Sequence, residues 1–298
     1  MQDKISRYTR NDTQQHMTSS KSILITGCSS GIGHCVAQGL HARGYRVFAT
    51  ARKAADVADL QSQGMESLLL DLDDSASISA AVDEVLARTG GTLYALFNNA
   101  GYGQPGAVED LHRDVIRAQF ETNLFGMLEL TNRIIPIMRA QGHGRIIQNS
   151  SLLGLVALPY RGAYNASKFA MEGLTDTLRL ELAGSGIHVS LIEPGPIKSR
   201  FRANAHAAYR RNITPEHSAH RTRYPGLEKR LTKIGPAAPF TLPPEAVLKK
   251  VIHALESPRP KIRYYVTVPS HFFALMRRLL PGGAMDWVLQ QVSKGENR

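Results

Sequence analysis

The stretch SILITGCSSGIG at residues 22–33 joins a short apolar run to a turn built on Gly27, Gly31 and Gly33. Continuous rather than alternating hydrophobicity suits a strand buried on both faces, as in a parallel sheet. Glycine lacks the Cβ that makes left-handed backbone costly, so the turn can be tight and its N–H groups can approach a ligand. Where a strand hands over to a helix, those N–H groups lie at the positive end of the helix dipole and favour a phosphate. The spacing is G-x-x-x-G-x-G rather than the commoner G-x-G-x-x-G, so the turn meets the general dinucleotide fingerprint only loosely. A rival reading takes Gly27-Cys28-Ser29-Ser30-Gly31 as G-x-S-x-G, the nucleophile elbow of a hydrolase. That reading needs an acid and a His at later strand ends, and the expected loops hold only the dispersed His206, His217 and His220. The third glycine, Gly33, favours the dinucleotide.

Outward from this turn, apolar runs alternate with helical patterns. RVFAT (46–50), SLLLDL (67–72), LYALFN (93–98), RIIQN (145–149) and IHVSLIE (187–193) read as buried strands, with a weaker seventh at 262–268. Between them, 34–43, 75–88, 114–139 and 163–183 carry helical periodicity, and Pro136 is expected to kink the long fourth helix without dividing it. Strand–helix repetition predicts an α/β fold: a Rossmann-type doubly wound parallel sheet of about seven strands between two helical layers. The expected organisation is a flexible polar tail over 1–20 and one domain over 21–298. The stretch 195–240, rich in Pro, Gly, Arg and His, interrupts the alternation after strand six. Ligands bind at the carboxyl edge of such sheets, so this stretch reads as a substrate lid.

Composition narrows the function classes. With 298 residues, 43% hydrophobic and 20% charged, the chain has material for a sizeable core and lacks the signature of disorder. Two cysteines argue against a disulfide scaffold and for a reducing compartment, and Cys28 and Cys35 read as small packing residues. No uncharged apolar run reaches the ~18 residues of a membrane span, and the first twenty residues lack the apolar core of a secretory signal, so a cytoplasmic protein is expected. The net charge of +11 is concentrated: residues 198–233 hold ten Lys and Arg against two acids, and 249–298 hold nine against three. This basicity suits a solvated face, an anionic ligand or a membrane surface, and without a base-reading motif it does not suggest nucleic acid. His217 and His220 stand three apart with no Cys or carboxylate cluster, so no metal is expected. The amphipathic stretch 264–280 suits a membrane surface, a substrate entrance, or packing on the sheet or a second subunit.

Further motifs follow the glycine turn in order. Asn98-Asn99-Ala100-Gly101 follows strand four, and Asn123 lies within ETNLFG in the fourth helix. Ser151 ends strand five, thirteen residues before Tyr164 of Tyr164-Asn165-Ala166-Ser167-Lys168, and Pro194-Gly195-Pro196-Ile197 follows strand six. Together with Thr26 to Gly33, these residues resemble the short-chain dehydrogenase/reductases over about residues 21–200, with weaker likeness to residue 290. Within that family the TGCSSGIG turn and the C-terminal PKIRY and RLLP stretches look most like a bacterial branch of NADP-dependent aldehyde reductases near the 17β-hydroxysteroid dehydrogenases.

The chemistry of the residues fits that resemblance. Carbonyl reduction needs a hydride at carbon and a proton at oxygen. Lys168 lies one turn after Tyr164 on the same helix face, and its ammonium is expected to lower the phenol pKa from its usual value of about 10. Tyr164 is then the proton donor, and Ser151 the hydrogen-bond donor to the developing oxyanion. The resemblance adds that Lys168 holds the nicotinamide ribose and that Asn123 positions a water linking Lys168 to solvent. It also implies cofactor contacts from Gly27, Ser29, Ser30, Gly31, Ile32 and Gly33, from Asp71 and Leu72 after strand three, from Asn98, Ala100 and Gly101, and from Pro194, Gly195 and Ile197. At the end of strand two an NAD enzyme carries an acid for the ribose hydroxyls, but here Ala51 is followed by Arg52. A guanidinium pairs with a 2′-phosphate, so NADP(H) is expected.

The apolar LLGLVAL after Ser151 points to an aldehyde, ketone or alcohol substrate of apolar character. Three alternatives remain open: a 3-oxoacyl thioester suited to the basic lid, a hydroxysteroid, or a non-catalytic NADP(H)-binding regulator. The resemblance implies a homo-oligomer, a dimer or a tetramer.

Overall fold

The computed structural model describes residues 21–236 and 238–296; the tail expected over 1–20 lies outside them. Seven parallel strands form one sheet in the order β3-β2-β1-β4-β5-β6-β7. They are β1 (Ser22–Ile25), β2 (Arg46–Ala51), β3 (Glu66–Leu69), β4 (Ala95–Asn98), β5 (Gly144–Asn149), β6 (Ile187–Glu193) and β7 (Arg263–Tyr265). The order reverses at β1, where Ile23 pairs with Val47 of β2 on one side and Ala95 of β4 on the other. The carboxyl ends of β1 and β4 diverge there, and the crevice opens between them.

Successive residues of each strand face opposite layers, so both layers need apolar partners. Ile23, Ile25, Val47, Ala49 and Phe97 pack under Val36, Ala37 and Leu40 of α1 (Gly31–His41) and Val247, Val251 and Ala254 of α9 (Glu245–Glu256). Leu24, Phe48, Leu96 and Ile146 face the other way. Ile78 and Val82 of α3 (Ser75–Thr89) cover them, with Leu130, Ile134 and Met138 of α5 (Gly126–Gln141). The remaining helices are α2 (Ala54–Ser62), α4 (Arg113–Phe120), α6 (Gly162–Glu181), α7 (Phe201–Asn212), α8 (Tyr224–Thr232), α10 (Val268–Leu279) and α11 (Gly282–Glu296).

Three expectations change in detail. The single helix over 114–139 divides at a π turn, Glu121–Phe125, between α4 and α5, while Pro136 sits inside α5 without breaking it. The wider turn swings Asn123 into the interior, and Gly126 follows because a Cβ there would stand 1.9 Å from the Leu72 carbonyl oxygen. The weak strand over 262–268 pairs only at Arg263–Tyr265, because Val268 and Pro269 open α10, where proline suits a first turn. The stretch 195–240, which interrupts the alternation in the sequence, carries helices of its own. Its ends are pinned by the Lys198 N–H to the Leu242 carbonyl (2.9 Å) and the Leu242 N–H to the Pro196 carbonyl (3.1 Å). Between them, α7 and α8 bury Ala205, Tyr209, Tyr224 and Leu227 with Leu111 and Val115 in a small core of their own.

Candidate active site

A cleft of about 980 Å³ crosses the carboxyl ends of the strands, running from the β1–α1 turn to the α7–α8 excursion. At one end, Gly27 and Gly31 adopt φ +72° and +61°, which a side chain would strain. A Cβ on Gly33 would stand 2.3 Å from the Gly27 carbonyl oxygen and 2.5 Å from Asn99 Nδ2, so this glycine lets the turn close on itself. Ser30 caps α1 with extended backbone and makes no side-chain capping bond, while Ser29, Ser30, Gly31 and Ile32 all line the cleft. A helix start that lacks a side-chain cap and borders a cavity fits a diphosphate. From the opposite wall, the Arg200 guanidinium donates to the Ser29 carbonyl (2.8 Å).

Ala51 and the exposed Arg52 line the same end, as do Asp71, Leu72, Ala100 and Gly101, so those expected cofactor contacts come together. Asn98 does not join them. It is 3% exposed and donates to Thr131 Oγ1 (2.8 Å), because it is still in the sheet and its side chain points into the layer beneath. The next residue, Asn99, faces the cleft. Its Nδ2 donates to the carbonyls of Thr26 (2.9 Å) and Gly27 (3.2 Å), and its Oδ1 accepts from Asn149 (2.9 Å). Thr26 Oγ1 accepts the N–H groups of Asn99 and Ala100, both at 2.9 Å, and ties the end of β1 to that of β4.

Ser151, Tyr164, Lys168, Pro194, Gly195 and Ile197 line the other half of the cleft. Ser151 and Tyr164 both face the cleft, and the Ser151 hydroxyl acts on the phenol. The phenol does not behave as the sequence predicts. Burial pushes it up to about 12, and only the Ser151 hydrogen bond opposes that shift. Lys168 turns its ammonium to the Asn149 carbonyl (2.8 Å), with Nζ 5.8 Å from the Tyr164 ring centre. Burial also pulls Lys168 down to about 8, against the attraction of Glu172 one turn further on. At neutral pH the phenol thus holds its proton, the form a donor requires.

Asn123 lies away from the cleft and is fully buried. Its Oδ1 accepts the Tyr102 N–H (3.1 Å), and its Nδ2 donates to the Tyr102 carbonyl (3.0 Å) and to Ser167 Oγ (3.1 Å). These bonds hold the segment that follows Gly101 against α6. Behind Pro194, Arg263 of β7 gathers Glu172 and Asp176 of α6 and Glu193 of β6. Burial first, and then the charges of Glu172 and Asp176, hold Glu193 above the ordinary carboxylate range, against Arg263. Phe201, at the start of α7, stands edge-on to Tyr164 with ring centres 5.3 Å apart.

Several of these participants carry no motif in the sequence. Arg200, Phe201 and Asn149 reach the site through chain connections of no fixed spacing, and only the basic, aromatic character of 198–202 hints at the first two. The remaining titratable residues weighed from the sequence serve structure. Cys28 is buried, with Sγ donating to the Ile25 carbonyl (3.3 Å), and burial raises its thiol to about 12. His220 pairs with Glu109 (2.6 Å) and Tyr160 (3.3 Å).

Comparison with known proteins agrees with this geometry. The sequence profile of the family described as short chain dehydrogenase matches residues 21–210. The chain is 46% identical over 270 residues to the uncharacterized oxidoreductase YbbO of Escherichia coli K12, spanning 91% of this chain and 94% of that one. It is 34% identical to human 17-beta-hydroxysteroid dehydrogenase type 1, over 88% of this chain and 82% of that one. Among solved structures, a short-chain dehydrogenase from Streptomyces avermitilis superposes with a TM-score of 0.71 at 28% identity, over 94% and 97% of the two chains. With the glycine turn, the Ser–Tyr–Lys group and the seven-stranded sheet in one crevice, the chain belongs to the short-chain dehydrogenase/reductase family of nicotinamide-dependent oxidoreductases.

Proposed function

We propose that this chain is an NADPH-dependent carbonyl reductase that interconverts apolar aldehydes or ketones and their alcohols, with Tyr164 as the proton donor. The observation that carries the reading is the gathering of Tyr164, Ser151 and Lys168 in the same cleft as the Gly27–Gly31 turn. The bound dinucleotide supplies the hydride. The chain's own residues do the rest: Tyr164 delivers a proton to the substrate oxygen, Ser151 donates to that oxygen as charge grows, and Lys168, fixed on Asn149, shapes the wall between them. Arg52 at the end of β2, with Ala51 where an acid would repel a phosphate, supports NADPH over NADH. Leu152, Leu153, Leu158 and Phe201 lend the reacting end its apolar character.

Tyr164→Phe is expected to lower turnover by about 10²–10⁴-fold, while NADPH binding, read by fluorescence of the reduced nicotinamide, stays within a factor of a few. Full activity in this variant would remove the proton donor and with it the reading. A second substrate class has its own observation: Arg202 and Arg211 of α7 line the mouth of the cleft, which suits a 3-oxoacyl thioester on a phosphorylated carrier. Comparing kcat/KM for a medium-chain aldehyde, a neutral oxosteroid and a 3-oxoacyl thioester decides between them.

A further inference from the structure

Helix α10 presents two unlike faces. Ser270, Phe273 and Ala274 point inward, and Phe273 packs with Leu152, Val156, Met285 and Leu289. Val268, Phe272, Leu275 and Leu279 point outward and are 58%, 47%, 54% and 64% exposed. At 100° per residue these four fall within an arc of about 60°, opposite the buried side. On α11, Met285, Leu289 and Ser293 are buried, and Trp287 projects from the far side, 64% exposed. An exposed stripe this regular on α10, followed by an exposed tryptophan on the next helix, is more than scattered surface apolarity.

The charges around the stripe discriminate between occupants. Arg277 and Arg278 are the charged residues of α10, which contains no acid. Arg277 is turned inward to the Leu155 carbonyl and the Phe169 ring. Arg278 flanks the stripe, Lys294 lies on the outward side of α11 with Trp287, and neither forms an ion pair among the described residues. Asp286 stands about 100° round α11 from Trp287. A second copy of the chain on the stripe would bring a surface of the same basic character, since α10 carries no acid of its own. An anionic lipid surface offers both partners at once: acyl chains for the leucines and phenylalanine, and headgroup charge for Arg278 and Lys294. Tryptophan belongs at that boundary, where one end of the indole is apolar and the other wet. Among the described residues no helix is long and apolar enough to cross a membrane, so the contact is superficial.

We propose that the outer faces of α10 and α11 form a docking surface for anionic phospholipid bilayers. It is independent of the reaction assigned above, and its test reads binding rather than turnover. Trp287 is the only tryptophan of the chain, so its emission reports on this patch alone. The full chain is mixed with vesicles of phosphatidylcholine, with or without phosphatidylglycerol. With the anionic vesicles the expected results are co-sedimentation, a blue shift of the emission, quenching by brominated acyl chains, and weaker binding as salt is added. Phe272→Ser/Leu275→Ser/Leu279→Ser changes exposed side chains only. It should lower the vesicle partition coefficient at least ~10-fold, with the far-ultraviolet spectrum and the turnover of a water-soluble aldehyde unchanged. Unshifted emission and wild-type protein left in the supernatant at all lipid concentrations would overturn the proposal. So would a shift that depends on protein concentration without lipid, because that reports a second copy on the stripe.

Discussion

Tyr164 and Arg52, the proposed proton donor and the proposed partner of a 2′-phosphate, differ in kind: one depends on its surroundings and the other is nearly independent of them. The phenol is ordinary chemistry placed in an extraordinary position: burial holds it protonated, and the hydroxyl of Ser151 orients it. Ser151→Ala removes that hydrogen bond, and with it the donor to the developing oxyanion. Turnover should fall about 10²–10³-fold with little change in cofactor affinity, as measured by single-turnover kinetics and by titration. Arg52 is exposed, so on the proposed reading its charge acts on the ligand alone. Arg52→Ala should weaken NADPH binding about 10–100-fold, the worth of one charge-assisted hydrogen bond, and leave NADH binding almost untouched. Equal losses for both cofactors would show that Arg52 does not face a 2′-phosphate.

At the level of elements, the β1–α1 turn is constrained by close approach as well as by backbone conformation. Gly31 sits at φ +61°, and a Cβ there would lie 2.9 Å from the Cβ of Ser199 on the far side of the cleft. Gly31→Val meets both penalties, and the left-handed conformation alone costs about 1–2 kcal/mol. The expected outcome is a lowered Tm and a loss of dinucleotide binding larger than the stability loss accounts for, seen by calorimetry with and without NADPH. The excursion after β6 behaves as an element of its own. Tyr224 and Ser218 both donate to Asp110, and Arg202 reaches the carbonyls of Arg230 (3.2 Å) and Lys233 (2.7 Å). These bonds hold α7 and α8 as a unit over Tyr164, with its two ends pinned at Leu242.

For the molecule as a whole, the pH dependence of stability has an identifiable source in the Arg263 cluster. Burial, Glu172 and Asp176 raise Glu193 from 4.5 to about 7, against Arg263. A carboxyl whose folded pKa exceeds its unfolded one takes up a proton on folding between those values, so its contribution to stability falls as pH rises from about 4.5 to about 7. Glu66 is shifted the opposite way by Arg46, and Glu129 by Ser75 and Arg133, but both are common to wild type and variant and cancel in a comparison. Glu193→Gln keeps a hydrogen bond to Arg263 and removes the titration. The Tm of the wild type relative to this variant should therefore decline across that window, and parallel curves would locate the proton elsewhere.

The alternation of apolar runs and helical patterns was enough to derive the parallel sheet, because a strand covered on both faces is mostly apolar and local composition records that demand. That the glycine turn, Ser151, Tyr164, Lys168 and Arg52 border one cleft was expected from the sequence, because each lies at or just after the carboxyl end of a strand or on the helix beside it. Asn98 and Asn99 were not distinguishable, since which of two neighbours faces the cleft depends on where the strand ends. The break in the fourth helix was equally silent, because a π turn is set by what Asn123 meets across the molecule rather than by its own neighbours. The tertiary structure alone decided the protonation of Tyr164 and Lys168. Desolvation is a property of everything packed around a group, and sequence spacing conveys the nearby charge but not the water that has been excluded.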